Sequence, residues 1–301
     1  MRFRWLIMKT PISEVAFTTV MRPCRWGWML YPKNDKFVGG AFEHYGEYSP
    51  VEIKFLSCVL NPGDVVINAG ANIGALAIPM AQRVGSKGLV LAFEPQGFIY
   101  SLLRANIAIN GIENIATFYA AVGKEEGTIR VPCYDYDKGD NFSGLGRADW
   151  MKYNDGVDVS IVTVDSLNLA RLDLLQADVE LMEQDVLEGA KDTIKRLRPL
   201  LFIENDKGVG AKEKIEYVYG LDYTPYWVAT SLFDKDNYFE NSKNIYDSAC
   251  SFNMYCIPNE RKGYAIKDLR QAHVDDPVWD EQNNASFPMT WTLMDIKRLV
   301  P

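Results

Sequence analysis

The residues best suited to chemistry in this sequence run Val65-Val-Ile-Asn68-Ala-Gly70-Ala-Asn72-Ile-Gly74. A short apolar strand leads into glycines and then a helix. Gly70 lets the backbone turn tightly and leaves no Cβ in the path of a ligand. The helix beyond Gly74 aims its free N–H groups at that ligand, and ligands of such folds bind at the carboxyl ends of the strands. A second strand, Leu89-Val-Leu-Ala-Phe93, ends at Glu94-Pro95. Glu94 lies 20 residues after Gly74, where a carboxylate can accept hydrogen bonds from both hydroxyls of an adenosine ribose. Alone, the first feature is also an ordinary strand–helix turn and the second a solvated acid; together they point to a nucleoside. NAD usually asks for G-x-G-x-x-G, with a pyrophosphate on the helix N-terminus. The spacing here is G-x-x-x-G with Asn72 between, which suits a cofactor without a pyrophosphate, S-adenosylmethionine.

The pattern around these residues predicts the scaffold that holds them. Strands are expected at 65–67, 89–93 and 115–122, with helices at 73–84 and 98–109. Pro79 predicts a kink in the first helix, and Asn110-Gly111 ends the second. The rhythm breaks over 124–166, where 128–131 and 157–164 read as strands around a polar, aromatic loop. It resumes with a strand at 172–177, a helix at 182–197, a strand at 199–203, a helix at 212–219 and strands at 223–230 and 252–257. Such alternation predicts an α/β fold with a parallel, doubly wound sheet. Upstream, Trp26 to Tyr31, then Asn34-Asp35, then Phe37-Val38 read as a hairpin, and Ser49-Pro50 opens a helix with Pro at its first position. The chain divides into an aromatic-rich segment 1–47, a core 48–258 carrying an insertion at 134–156, and an irregular tail 259–301.

Composition narrows the function classes. The 301 residues include 32 Lys plus Arg and 40 Asp plus Glu, a formal net charge of −8. With 48% hydrophobic and 24% charged residues, the chain has the make-up of a soluble globular protein. The acidic balance and the absence of a Lys/Arg stripe argue against nucleic-acid partners. Two histidines, His44 and His273, rule out a His-rich metal site. Five cysteines with no C-x-x-C pair read as reduced and mostly buried, which implies a cytoplasmic location. No run reaches the roughly 18–20 apolar residues of a membrane span, and the Trp5 to Met8 run is too short for a signal-peptide core.

Several segments together resemble a known family. They are Asn68-Ala-Gly-Ala-Asn-Ile-Gly74, Ala92-Phe-Glu-Pro95, Asn106-Ile-Ala-Ile-Asn110-Gly, Ala120-Ala-Val-Gly123, Ala177-Asp-Val-Glu180 with Val186-Leu-Glu-Gly-Ala190, Arg198-Pro-Leu-Leu-Phe-Ile-Glu-Asn-Asp206 and Tyr45-Gly-Glu47-Tyr-Ser49. In order and spacing they are similar to the FkbM family of class I S-adenosylmethionine-dependent methyltransferases, over roughly residues 45–258. The resemblance implies a Rossmann-like, seven-stranded, mostly parallel sheet with one antiparallel strand at 252–257. It implies methyl transfer to a hydroxyl, often of a sugar or polyketide. By position, Gly70, Asn72 and Gly74 would line the methionine and ribose part of the cofactor, Glu94 would hold the ribose, Ala121 would lie against adenine, and Glu47 would close the site from the N-terminal side. Two departures stand out. The family usually has Asp where Asn68 stands; Asn can still orient the cofactor's amino group through its carbonyl, without a charge. It commonly has Lys-Ile-Asp-Val-Glu-Gly where this chain has Gln176-Ala-Asp178-Val-Glu180-Leu181.

A hydroxyl acceptor must lose its proton as it attacks, so a carboxylate or His is expected beside it. Strand four ends at Asp178 and strand five at Glu204-Asn205-Asp206. Asp178 is the first candidate for the base, with Glu180 and Glu204 next. Asp178 would also serve as a helix N-cap. The same acid and acid–Asn layout resembles the magnesium site of catechol-type O-methyltransferases, and its oxygens suit Mg²⁺. His44 is an alternative base or a structural residue at the core edge. In the 134–156 loop, Tyr134, Tyr136, Phe142, Trp150 and Tyr153 offer stacking faces, and Asp135, Asp137, Asn141 and Asn154 offer hydrogen bonds, a mixture suited to a sugar or glycan. The expected partner is therefore a small-molecule or glycan acceptor. An NAD-dependent dehydrogenase is the competing enzyme, against which the glycine spacing counts. A cofactor-binding interaction module that has lost catalysis is the competing non-enzyme, motivated by Asn68, Gln176 and Leu181.

Overall fold

The computed structural model describes residues 18–138, 141–142, 155–205, 210–247, 249–264, 266 and 269–276. The described residues open with a hairpin, β1 (Thr19–Cys24) and β2 (Gly27–Pro32), joined by the two residues Arg25 and Trp26. The expected hairpin is corrected here: Trp28 to Tyr31 pair upstream, with β1, and the Phe37-Val38 segment starts helix α1 (Val38–Tyr45). Asn34-Asp35 is not a hairpin turn. The Asp35 carboxylate accepts from the Phe37 and Gly39 N–H groups at 3.1 and 3.0 Å, capping the helix start that would otherwise have orphan donors. Helix α2 (Pro50–Val59) begins at Pro50 as expected, and Ser49 Oγ donates to Glu52 at 2.8 Å.

The core then alternates. Strand β3 (Val65–Ala69) leads to α3 (Ala77–Val84), β4 (Leu89–Phe93) to α4 (Gly97–Ile109), and α4 to β5 (Ile115–Phe118). Helix α3 starts at Ala77, not Ile73, so Pro79 falls in its first turn. There a missing N–H leaves no helical bond broken, and no kink is required. The expected 115–122 strand ends at Phe118. The chain leaves the sheet at Tyr119 and Ala120, and β6 (Ala121–Val122) joins β7 (Gly127–Pro132) and β8 (Gly156–Val162) in a separate three-stranded sheet.

After β9 (Leu174–Ala177) the expected 182–197 helix is two, α5 (Glu183–Glu188) and α6 (Lys191–Leu197). A Cβ on Gly189 would lie 2.0 Å from the Gly123 carbonyl oxygen, so the break lets this segment press against the end of β6. The Asp165 carboxylate caps the second helix, accepting from Asp192 and Thr193 N–H at 3.0 and 2.7 Å. Strand β10 (Leu200–Glu204), α7 (Ala211–Gly220), β11 (Tyr223–Ser231) and β12 (Cys250–Pro258) complete the order.

The main sheet runs β11-β12-β10-β9-β3-β4-β5. Strand β12 is antiparallel to both neighbours, and β9, β3, β4 and β5 run parallel to β10. Helices α2, α3 and the buried Leu103 of α4 cover one face through Phe55, Leu56, Met80 and Val84, against Val66, Leu174 and Phe202. Helices α5, α6 and α7 cover the other through Val186, Ile194, Ile215 and Val218, against Ile67, Leu175 and Leu201. The alternation of strand residues between these two clusters is the period-two geometry of a sheet buried on both sides. The described part of the tail lies beside β11: Trp227 N–H donates to Arg270 O at 2.8 Å and Ala272 N–H to Pro225 O at 2.9 Å. Those bonds occupy an edge strand that would otherwise expose its ladder groups.

Candidate cofactor and acceptor site

Four strands end at one place. Gly70 follows β3 with φ +83°, and the Cβ of any other residue there would lie 1.8 Å from the Asp178 carbonyl oxygen. This glycine is therefore required by the backbone that follows β9. Asn72 takes a left-handed conformation with φ +50°, its Oδ1 accepting from Ile73 N–H at 2.7 Å. Gly74, φ +93°, packs under Leu103 and Ile78. Glu94 is buried at the end of β4. Its two oxygens accept from Asn72 N–H at 2.9 Å and Gln96 N–H at 2.8 Å. Burial raises its carboxyl to about 7, and the two backbone donors oppose that rise. The carboxylate thus fastens the glycine turn to the start of α4.

Two residues back from Gly70 and Asp178, Asn68 and Gln176 face each other across β3 and β9. Both are fully buried, and Asn68 Nδ2 donates to Gln176 Oε1. Asn68 Oδ1 and Gln176 Nε2 have no partner. The departures at Asn68 and Gln176 are therefore one exchange, a neutral amide pair where the family pattern has Asp and Lys, while Leu181 stands apart from it.

Asp178 is half-buried just beyond β9, its N–H donating to Ala69 O at 3.1 Å. Glu180 and Leu181 follow with φ of +54° and +73°. This turn is held by Glu183, whose Oε1 accepts from Val179 and Leu181 N–H at 3.2 and 3.1 Å. Glu183 Oε2 pairs at 2.9 Å with Lys214 Nζ, and that ammonium also donates to Glu204 O at 3.0 Å. Both side chains of the pair are buried, so the ends of β9 and β10 are linked inside the protein. Glu204 itself is buried. Asn205 donates to Ala211 O at 3.3 Å and leaves its Oδ1 buried without a partner. Asp206 lies outside the described residues. Among the described residues, no group of three His, Cys, Asp or Glu side chains is gathered as a metal site.

Segments from the N-terminal side meet the same strand ends. Glu47 is buried, with Arg25 Nη2 donating at 2.9 Å and Tyr238 N–H donating at 2.9 Å. Its carboxylate joins the hairpin turn to the loop after β11. Burial pushes the neighbouring Tyr48 phenol well above its ordinary range, and the Asp178, Glu52 and Glu204 carboxylates push the same way. Tyr48 thus lies in the field of the acids at the ends of β9 and β10. His44 is exposed in the last turn of α1. Ala121 is buried in β6, paired with Ile161. Of the 134–156 loop, Tyr134, Asp135, Tyr136, Asp137, Asn141 and Phe142 are described; Trp150, Tyr153 and Asn154 lie outside the described residues. Tyr136 packs on Phe98 and Phe142 with centroids 4.3 and 4.7 Å apart. Gln96 Nε2 donates to Phe142 O at 2.9 Å, so this part of the loop is pinned next to Glu94. A cavity of about 280 Å³ opens there, lined by Phe98, Tyr119, Val131, Cys133, Tyr134 and Tyr136.

Gln176, Tyr48, Gln96 and the Glu183–Lys214 pair escaped the reading of the sequence as site residues. Gln176 was visible only as a departure from the family pattern, and Tyr48 only as part of the Tyr45 to Ser49 segment. Nothing local marks Lys214, which is one of two lysines on its helix.

A sheet in this order, with its single antiparallel strand and a glycine turn facing a strand-terminal acid, is the class I methyltransferase fold. The profile of the methyltransferase FkbM domain matches residues 68–227, and the chain belongs to that family. It is 25% identical over 146 residues to Methyltransferase 1 of Beauveria bassiana (strain ARSEF 2860), covering 42% of this chain. The chain spans 58% of the length of that curated relative. Among solved structures it is similar to methyltransferase FkbM from Methylobacillus flagellatus KT, with 16% identity, coverage of 68% of this chain and 50% of that one, and a TM-score of 0.42. It is also similar to M. jannaschii TYW2 in complex with AdoMet, with 14% identity, coverage of 81% and 86%, and a TM-score of 0.42.

Proposed function

We propose that this protein is an S-adenosylmethionine-dependent O-methyltransferase acting on a hydroxyl of a sugar, glycan or small natural product. The observation that carries the reading is the contact between the turn at Gly70 and the Asp178 backbone. It sets a base candidate against the loop that would hold the cofactor. The residues present fit that cofactor. Glu94 lies at a strand end where the lone pairs left beside its two backbone donors can accept from ribose hydroxyls, and unpartnered amide atoms sit beneath the turn. Gly70, Asn72 and Gly74 would line its methionine and ribose, Ala121 its adenine. Glu47 would close the site indirectly, by holding the hairpin against the loop at Tyr238.

S-adenosylmethionine supplies a methyl group already activated on a sulfonium. The chain has then to align the acceptor, exclude water and take one proton. Asp178 is the group proposed to accept that proton, with Glu180 and Glu204 as the alternatives at the same strand ends. Tyr136, Phe142 and the 280 Å³ aromatic cavity beside Gln96 support an acceptor with faces to stack and hydroxyls to bond.

Calorimetric titration tests the cofactor first. S-adenosylhomocysteine should bind and NAD should not, and Glu94→Ala should weaken binding by about tenfold or more, the loss of hydrogen bonds to a charged group. Asp178→Asn should keep that binding and lower turnover on a methylated acceptor by about 10²–10⁴-fold. Binding of NAD alone would overturn the reading. Cofactor binding without transfer to any hydroxylated acceptor would leave a binding module instead.

A further inference from the structure

The N-terminal hairpin buries one face and leaves the other bare. Cys24, Met29 and Tyr31 are buried in a cluster with Phe42 of α1, Ile78 of α3 and Leu102 of α4. Met21, Pro23 and Trp28 lie on the opposite side of the same two strands, with Trp28 directly across from Pro23, and all three are exposed. Met21 is 54% and Trp28 48% accessible. Successive residues of a strand face opposite sides, and the side that a sheet turns to water ordinarily carries polar residues. Here it carries Met, Pro and Trp. Ile109, 43% exposed, immediately precedes Asn110, whose side chain bonds both backbone groups of Trp28.

The charge around this face is the reverse of the chain's. Residues 1–36 hold seven Lys and Arg against Glu14 and Asp35, a net +5 in a chain whose net charge is −8, so the remaining residues carry −13. Asp35 is buried and bound to backbone N–H groups at the start of α1. That leaves Lys33 and Lys36, both exposed, as the outward charges just beyond β2. Upstream of the hairpin the sequence adds Arg2, Arg4, Lys9 and the apolar run Trp5 to Met8. We propose that the hairpin face docks the protein on an anionic lipid surface, with Trp28, Met21 and Pro23 entering the headgroup boundary and Lys33 and Lys36 meeting the acidic headgroups. Trp at headgroup level beside Lys and Arg is the composition of an interfacial anchor. Size decides against a second copy of the chain as the occupant, because a few half-exposed side chains fall well short of the roughly 800 Å² per partner that a stable dimer buries. A bilayer asks for less, since each apolar side chain it buries and each basic residue near its surface add separately. The acidic remainder is repelled by the same surface, so the molecule would approach hairpin first. Docking of this kind is independent of the methyl-transfer reaction.

Co-sedimentation of the full chain with lipid vesicles tests this. Vesicles of phosphatidylcholine and phosphatidylserine in equal parts should bind the protein at least about tenfold more tightly than phosphatidylcholine alone, and high salt should narrow the difference. Met21→Ser combined with Trp28→Ser should weaken binding to the anionic vesicles by about tenfold or more, with a thermal melt showing that the variant is folded. Should it not fold, Lys33→Glu combined with Lys36→Glu changes only exposed positions. That variant should lose about tenfold or more on the anionic vesicles and nothing on phosphatidylcholine. Wild-type protein that ignores anionic vesicles, binds both kinds equally, or stays bound in both folded variants would overturn the proposal. Absence of vesicle binding together with a concentration-dependent dimer that Trp28→Ser dissolves, seen by sedimentation velocity, would assign the face to a second copy instead.

Discussion

Leu181 shows how one residue carries both strain and information. A bulky side chain with φ +73° directly after Glu180 at φ +54° occupies a region that L residues adopt at a cost. The side chain is 45% exposed, so little packing offsets that cost. The turn persists because Glu183 accepts from the N–H groups on either side of Glu180. Leu181→Gly should therefore raise stability by about 1 kcal/mol, read as a higher urea midpoint at unchanged slope. A lower midpoint would mean that the leucine makes a contact worth more than its backbone strain. The neighbouring candidates differ in kind. Glu94 is held by two backbone donors, whereas Glu47 is held by Arg25 and Tyr238 and acts on the site only through the segments it joins.

At the level of elements, side chains do the joining that strand ladders do elsewhere. Asn106 on α4 and Asn110 at its C-cap bond both backbone groups of Leu30 and Trp28 on β2, at 2.6 to 2.9 Å. Asn106 also donates to Ile73 O at 2.9 Å, inside the glycine turn. One helix thus fixes the N-terminal hairpin and the proposed cofactor loop at once. Across the sheet, Lys214 on α7 does the same for the ends of β9 and β10 through Glu183 and the Glu204 carbonyl. Lys214→Met removes one member of a buried pair and leaves Glu183 as an uncompensated charge. Such a change should cost about 3–5 kcal/mol, measured by denaturant unfolding. Amide exchange at Val179 and Leu181 should accelerate, since their acceptor is the same carboxylate. An effect under about 1 kcal/mol would mean that the pair is solvated.

For the molecule as a whole, buried carboxylates set the response to pH, Asp35, Glu52 and Glu94 most strongly and Asp64 in the same direction. Burial raises Asp35 to about 6 and Glu52 and Glu94 to about 7. Each holds its proton more tightly folded than unfolded. Between the unfolded and folded values the folded state binds more protons, so stability falls as pH rises. The penalty grows from about pH 4 and is complete above about pH 7. Acids held low by a partner, such as Glu260 beside Arg198 at about 2, act below that window. Thermal melts of the ligand-free protein should show a melting temperature that declines from pH 5 to pH 7.5, and Glu52→Gln should flatten part of that decline. A melting temperature that rises over this range would refute the burial of these groups as ionisable acids. Among the described residues, no helix is long and apolar enough to cross a membrane, and all five cysteines are free thiols.

The antiparallel last strand came only from the family resemblance, whereas the alternation of strands and helices, the turn at Gly70 and the strand-end acid at Glu94 were legible in the residues themselves. Each depends on local rules: a two-residue or 3.6-residue period, and the chemistry of turns and strand ends. The errors came where a distant group decides a local outcome. Asn34-Asp35 has the composition of a hairpin turn, and only the packing of α1 made Asp35 a cap. The 182–197 helix has an unbroken apolar stripe, and the Gly123 carbonyl and Asp165 carboxylate divide it. Asn68 and Gln176 are 108 residues apart and read as two separate departures from a family pattern. Strand order and register made them neighbours, because pairing across a sheet is fixed by which strands lie side by side, and no local period encodes that.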